Sequence, residues 1–242
     1  MIGLVAVSHS RALAEAAAHL ALQMGGDDPP TLRIAAGGPD DDLGTDAVAI
    51  AAAIDDADSG DGVLVLMDLG SAILSAETAL EFVAEPERVR LSPAPFVEGL
   101  VAAVVTAAGG GDLEAVAAEC ATAGDAKARQ LGADAGGPAS GAVATDDPAD
   151  ETLSFEAVVT NPSGLHARPA ATFVKAASRH DAEVRIADLE TGSAEVSGRS
   201  LLALMALGIR QGSRVRVSAS GPEARAALDE LESLIADGFG EH

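Results

Sequence analysis

The hydrophobic pattern of this chain falls into two regimes. Residues 2–7 form an unbroken apolar run, and Val63, Leu64, Val65 and Leu66 form another within Gly62–Met67. Such runs suit strands covered on both faces of a parallel sheet. Thr31–Ala35 and Arg88–Leu91 are shorter strand candidates. Between them lie segments rich in Ala and Leu that read as helices: Arg11–Met24, Thr45–Asp56, Ala72–Val83, Pro95–Ala107 and Asp112–Leu131. Thr45 is the expected cap of the second of these. Strands alternating with helices predict an α/β fold with a parallel sheet.

Beyond residue 152 the order changes. The pattern predicts strand Leu153–Thr160, helix Ala167–Arg179, strands Glu183–Ala187 and Ala194–Val196, and helix Gly198–Ala206 with Ser197 as its cap. Strand Arg214–Ala219 and helix Pro222–Asp237 follow. Residues 132–152, made largely of Gly, Ala, Pro and Asp, have little to bury and read as a flexible acidic linker. The expected organisation is therefore a domain at 1–131, a linker at 132–152 and a domain at 153–242. A coil of that linker length reaches roughly 25 Å, which gives tethered partners effective concentrations near the millimolar range. No repeat of solenoid period is visible.

Composition refines this picture. Five Phe and no Trp or Tyr mean that the cores are built from Ala, Val, Leu and Ile. The formal net charge of −23 is uneven: −15 over 1–131, −5 over 132–152 and −3 over 153–242. Such acidity argues against nucleic acid, which needs clustered Lys and Arg. Two Lys against 13 Arg, with abundant carboxylates, point to a halophilic protein whose self-repulsion is screened by salt. The one cysteine, Cys120, cannot form an intramolecular disulfide and reads as core. The start, Met1–Val7, lacks the basic region of a signal peptide, and Leu100–Ala108 is far shorter than a membrane span. The expectation is a soluble cytoplasmic chain with no membrane contact. Scattered His and a single Cys give no metal spacing, and no phosphate loop of the Gly-x-x-x-x-Gly-Lys type occurs, so neither a metal nor a cofactor is expected. The Asp40–Asp42 run reads as an acidic loop.

Two segments carry chemistry. In Gly164-Leu165-His166-Ala167-Arg168-Pro169-Ala170, a histidine directly precedes a helix. Helix starts attract phosphate through free N–H groups and the helix dipole. Arg168 adds a forked donor, Ala167 lies at the helix start, and Pro169 presets the first turn. A histidine so placed can accept a phosphoryl group on nitrogen and release it. The second segment is His9, just past the first strand, together with Asp68 to Ser71, just past the third. Ligands of open α/β sheets bind at the carboxyl ends of strands, so both fall on one edge. A carboxylate there can hold one ring N–H of His9 and leave the other nitrogen nucleophilic. Backbone N–H groups near Gly70 and Ser71 can hold phosphate oxygens, and Gly37 and Gly38 allow close approach. From spacing alone, a plain turn histidine and a capping Asp68 remain open as the alternative.

Asn161 with the Gly164–Ala170 run closely resembles the active-site motif of HPr, the histidine phosphocarrier of the sugar phosphotransferase system. The likeness covers about residues 153–238, including Ser197–Met205 where HPr opens its second helix. It implies a β-α-β-β-α-β-α open-faced sandwich, with His166 phosphorylated and Arg168 as its electrostatic partner. Ser200 matches a position that some bacterial HPr proteins phosphorylate for regulation, although a serine at a helix start is the plainer reading. Val7-Ser8-His9-Ser10, Asp68-Leu69-Gly70-Ser71-Ala72, Gly44-Thr45-Asp46 and Val97-Glu98-Gly99 resemble the DhaM family, the phosphotransferase subunits of dihydroxyacetone kinase. This likeness covers about residues 1–130, a domain related to mannose-type IIA domains. It implies His9 as a second phosphohistidine oriented by Asp68, and a homodimer through this domain.

Together the resemblances imply a phosphotransferase relay. Phosphoenolpyruvate charges enzyme I, enzyme I charges His166, and His166 charges His9. His9 then phosphorylates ADP on the dihydroxyacetone kinase subunit. Some family members carry part of enzyme I after the HPr segment; this sequence does not, so enzyme I is expected as a separate protein. Two alternatives are a regulatory sensor read by a transcription factor and a carrier feeding a mannose-type sugar permease. Neither a DNA-binding segment nor a membrane-linked IIB domain is visible to support them.

The charge pattern yields one prediction. Folding should weaken below molar salt, and a melting temperature indifferent to salt would count against the halophilic reading.

Overall fold

Four parallel strands carry the first half of the chain: β1 (Gly3–Ser8), β2 (Leu32–Ala36), β3 (Val63–Met67) and β4 (Val89–Ser92), in the order β2-β1-β3-β4. The computed structural model describes residues 1–38, 42–130 and 152–241. These residues form two compact units, Met1–Gly124 and the chain from Asp125 onward.

In the first unit the apolar runs are buried on both faces, as their composition requires. Val5, Val7, Val63, Val65 and Met67 form one cluster with buried residues of α2 (Ala47–Ala57) and α3 (Gly70–Ala79). The alternate residues Leu4, Ala6, Leu64 and Leu66 are fully buried too. Helices α1 (Arg11–Gly25) and α4 (Phe96–Ala108) pack against one another. Gly99 brings α4 close to the sheet: a Cβ there would lie 2.9 Å from Leu66 Cδ2 and 2.8 Å from Ala94 Cβ.

Several boundaries depart from the sequence expectation. The cap of α2 is Asp46, whose Oδ1 accepts from Val48 N at 2.8 Å; the Thr45 hydroxyl pairs instead with Ser75 Oγ at 2.7 Å. The single helix expected over Asp112–Leu131 is two, α5 (Leu113–Ala121) and α6 (Ala123–Gln130), parted at Thr122. Helix α3 begins at Gly70 rather than Ala72 and ends at Ala79 rather than Val83. The expected linker, Asp40 and Asp41 of the acidic loop, and His242 lie outside the described residues, apart from Thr152 of the linker.

The second unit runs β5 (Leu153–Val158), α7 (Ala167–Ser178), β6 (Glu183–Asp188), β7 (Val196–Ser197), α8 (Leu201–Ala206), β8 (Arg214–Ser220) and α9 (Ala224–Ala236). That is the β-α-β-β-α-β-α order expected, with an antiparallel sheet in the order β5-β8-β6-β7. Strand β8 shows how one open face arises. Val215, Val217 and Ala219 are buried, while Arg214 and Arg216 face outward and pair with Glu190 and Glu156, each at 3.0 Å. Phe173, Leu204, Leu228 and Leu231 from the three helices fill the core. Helix α8 is shorter than expected. Its cap is Ser200, whose Oγ accepts from Ala203 N at 3.0 Å, while Ser197 Oγ accepts from Arg199 N one turn earlier.

Cys120 is core, as expected: it is fully buried in α5 and donates its thiol to Gly99 O at 3.3 Å. Burial, with the nearby charge of Glu119, pushes that thiol up to about 12. Thiolate is the reactive form, so iodoacetamide at pH 8 should leave the native chain unlabelled and modify it fully in denaturant. Equal labelling in both states would place the thiol at the surface.

Candidate functional site

The parallel register pairs Val7 of β1 with Met67 of β3, so the two strands leave the sheet side by side. Ser8, His9 and Asp68 are therefore neighbours in space. Asp68 Oδ1 lies 2.9 Å from His9 Nδ1 and accepts from Leu69 N at 2.7 Å. Its Oδ2 accepts from His9 N and from Ser8 Oγ, each at 2.9 Å. Burial alone would raise the Asp68 carboxyl. The bonds from the His9 backbone and ring, the Ser8 hydroxyl and Leu69 N–H outweigh it and hold the carboxyl below its ordinary value of 3.8. The ionised carboxylate accepts only, so His9 Nδ1 carries the proton. Nε2 keeps its lone pair and faces Ser71 Oγ at 2.9 Å.

Local sequence explains this placement. Ser10 caps α1 by accepting from Leu13 N at 3.3 Å, so the chain turns into a helix directly after His9. Loop N–H groups close over the strand end: Gly37 N donates to Ser8 O at 3.1 Å and Gly44 N to His9 O at 3.0 Å. Leu69 is the N-cap of α3 and makes no side-chain capping bond. The N–H groups of Gly70 and Ser71 thus stay outside the helical ladder, and a Cβ on Gly70 would meet open space. An anion at Nε2 would find these donors at the positive end of α3.

The second constellation is built on a tight turn. Gly164 adopts φ +65°, and a Cβ there would lie 2.3 Å from Ile209 O. Only glycine fits. His166 follows as the N-cap of α7, with no side-chain capping bond, so its ring is left for other work. Its Nε2 lies 3.1 Å and 3.3 Å from the two carboxylate oxygens of Glu241. Asn161, almost fully buried, donates its Nδ2 to Gly164 O at 2.5 Å and to Glu241 Oε2 at 3.2 Å.

The sequence candidates sort unevenly. His9, Asp68 and Ser71 are brought together, with Gly70 beside them. Pro169 is the third residue of α7, inside the first turn as expected; it has no N–H to give, and Ala167 and Arg168 supply the backbone donors there. The Arg168 guanidinium is exposed and makes no hydrogen bond or ion pair with His166 among the described residues. Ser200 serves as a helix cap. His180 pairs with Glu230 at 2.6 Å, and His19 sits on an exposed helix face beside Gln23. Among the described residues no group of His, Cys, Asp and Glu could hold a metal ion, and no helix is long and apolar enough to cross a membrane. Sequence reasoning missed Ser8 and Glu241. A serine closing an apolar strand was a readable signal for Ser8; nothing local marked Glu241.

Comparison with known proteins agrees with this geometry. Residues 3–117 match the family model of the fructose IIA component of the phosphotransferase system, and residues 153–237 match that of the HPr component phosphorylation site. The chain is 42% identical over 249 aligned positions to the phosphoryl donor subunit DhaM of the PEP-dependent dihydroxyacetone kinase of Escherichia coli K12, with all of this chain covered. The DhaM subunit of Pantoea ananatis is 42% identical over 248 positions, again with the whole chain covered. A multiphosphoryl transfer protein of Escherichia coli O157:H7 is 38% identical over 96 positions, 40% of this chain and 26% of its own length. The chain spans about half, 51%, of the length of the DhaM relatives. Two phosphotransferase-system domains are matched in tandem, and identity to the DhaM subunits is sustained along the whole sequence, so the chain is a homologue of the first half of those subunits, a IIA-type domain followed by an HPr-type domain.

Proposed function

We propose that this chain is a histidine phosphocarrier that passes a phosphoryl group from His166 to His9. The carrying observation is that each histidine stands at a helix start with a carboxylate on one ring nitrogen and the other nitrogen left for phosphate. At His9, Asp68 holds Nδ1–H, so Nε2 is the accepting atom. The Ser71 hydroxyl must turn aside from Nε2 as phosphorus arrives, and it can then donate to a phosphate oxygen. Gly70 and Ser71 N–H groups hold the other oxygens. At His166, Ala167 and Arg168 N–H groups face the incoming phosphate, and the exposed Arg168 guanidinium swings onto it. No proton has to leave either accepting nitrogen, so each step is a near-balanced exchange between imidazoles that relies on positioning.

The upstream and downstream partners follow from the family. Enzyme I, charged by phosphoenolpyruvate, loads His166. Charged His9 phosphorylates ADP held on the dihydroxyacetone kinase subunit, and the ATP formed phosphorylates dihydroxyacetone. This reading makes the chain a phosphotransferase, the phosphoryl donor of that kinase, acting in the cytoplasm. It takes residues 1–131 as the IIA domain, 132–152 as the connection and 153–242 as the HPr domain, with a homodimer formed through the first. The substrate assignment rests on relatives named for dihydroxyacetone kinase.

The order of transfer is open to direct test. With phosphoenolpyruvate and enzyme I, His166→Ala should abolish label at His9, while His9→Ala should leave His166 charging intact. Label reaching His9 in the His166 variant would reverse the order. Charged protein mixed with the ADP-loaded kinase subunit and dihydroxyacetone should yield dihydroxyacetone phosphate without added ATP.

Asp68 sets a pH dependence. Its lowered carboxyl contributes stability that is present above the ordinary value of 3.8 and is lost as pH falls through the folded-state value. Asp68→Asn should therefore melt roughly 4 °C lower than the parent at pH 7, from about 1 kcal/mol of charge-assisted bonding. The gap should close toward pH 3. A gap constant across that range would show that the carboxylate's charge is not what matters.

A further inference from the structure

Glu241 lies 75 positions beyond His166, yet its carboxylate meets the imidazole at both oxygens. The backbone goes to some length to put it there. After α9, Gly238, Phe239 and Gly240 adopt φ 62°, 57° and 74°, a left-handed turn closed by Glu241 N donating to Gly238 O at 3.0 Å. Phe239 is the one non-glycine residue with positive φ among the described residues. A left-handed conformation is disfavoured for a residue with a side chain, so tertiary contacts hold it. The turn rests on the Asn161 loop: a Cβ on Gly238 would touch Thr160 Oγ1 at 3.5 Å and Asn161 Cβ at 3.7 Å. The same Asn161 amide ties both halves of the site, because its nitrogen serves Gly164 O and Glu241 Oε2. Both partners are acceptors, which fixes the amide orientation and leaves buried Asn161 Oδ1 without a partner.

As an ion pair this contact would stabilise little, since the His166 and Glu241 side chains are 42% and 23% exposed. Its consequence is chemical. We propose that Glu241 is a positioning residue for His166: it holds the proton on Nε2 and so keeps Nδ1 as the nucleophile. The inference rests on the phosphocarrier reading of His166. In the transfer, the Nδ1 lone pair forms the new nitrogen–phosphorus bond. The donor imidazole's nitrogen–phosphorus bond breaks, and its electron pair stays on the donor ring. The Nε2 proton never moves. Once Nδ1 carries phosphate, the Glu241 carboxylate faces the positive charge of the phosphorylated ring. It steadies that charge until the next acceptor attacks phosphorus and the bonding pair returns to Nδ1. Asp68 serves His9 in the same way from the opposite nitrogen, so the two sites present opposite faces of the imidazole to the travelling group.

The test uses the full chain carrying ring-15N histidine, with His166→Ala to assign the His166 signals, in the parent, Glu241→Ala and Glu241→Gln. The parent should show the neutral His166 ring almost wholly as the Nε2–H form. In Glu241→Ala the Nδ1–H form should rise several-fold, toward that of an unstructured histidine peptide. Charging of His166 by phosphoenolpyruvate and enzyme I should slow by about three- to tenfold, the net scale of one partly exposed hydrogen bond. Glu241→Gln keeps an oxygen acceptor and should restore the tautomer and most of the rate. An unchanged tautomer ratio or charging rate in Glu241→Ala overturns the assignment. A parent that shows the expected tautomer but is never charged at His166 overturns the phosphocarrier reading instead.

Discussion

A single register governs the first site. Because β1 and β3 run parallel with Val7 opposite Met67, the residues that leave each strand emerge together. His9 and Asp68, 59 positions apart, become hydrogen-bonded neighbours. A slip of one residue would turn every strand side chain to the other face and separate the pair. The valine-rich face against α2 and α3 forbids that slip, since it would drive the whole cluster out of register. The chemistry thus depends on core packing that never touches phosphate. Ser8 joins the two: buried at the strand end, it anchors the carboxylate oxygen that the imidazole leaves free.

The second domain reaches a similar arrangement by another route. No strand end brings the carboxylate to His166. A tight turn at Gly164 sets the ring at the cap of α7, and a left-handed turn after α9 returns Glu241 to it. In the proposed relay the two imidazoles have the same needs: one nitrogen protonated and held, one nitrogen bare, and helix-start donors in front. Antiparallel and parallel sheets meet those needs with different backbone devices. The contrast in partners has a physical basis too. Asp68 is well buried and takes four hydrogen bonds, so its charge is secured. Glu241 is partly exposed, so as an ion pair it contributes little to stability.

Much of this was legible beforehand. Continuous apolar runs announced β1 and β3, and the change of pattern after residue 152 announced a second domain with a different order of elements. His166 before a helix and His9 after a strand identified themselves by position. The misreadings were local. Thr45 and Asp46 are both good caps, and the carboxylate took the role while the hydroxyl found Ser75. Ser197 and Ser200 offered the same choice, and the short edge strand β7 drew Ser197 into the sheet. The break at Thr122 lies two residues before Gly124, a weak signal inside an otherwise helical pattern.

Local periodicity and turn chemistry by themselves determined the order of strands and helices in both domains and the position of both histidines beside a helix start, because each is encoded within a few residues. Which nitrogen of each ring meets a carboxylate was decided only in three dimensions. It depends on carboxylates that arrive from 59 and 75 positions away. Hydrogen bonds across such spans follow from strand register and from the path of the chain after its last helix, and no short stretch of sequence encodes either.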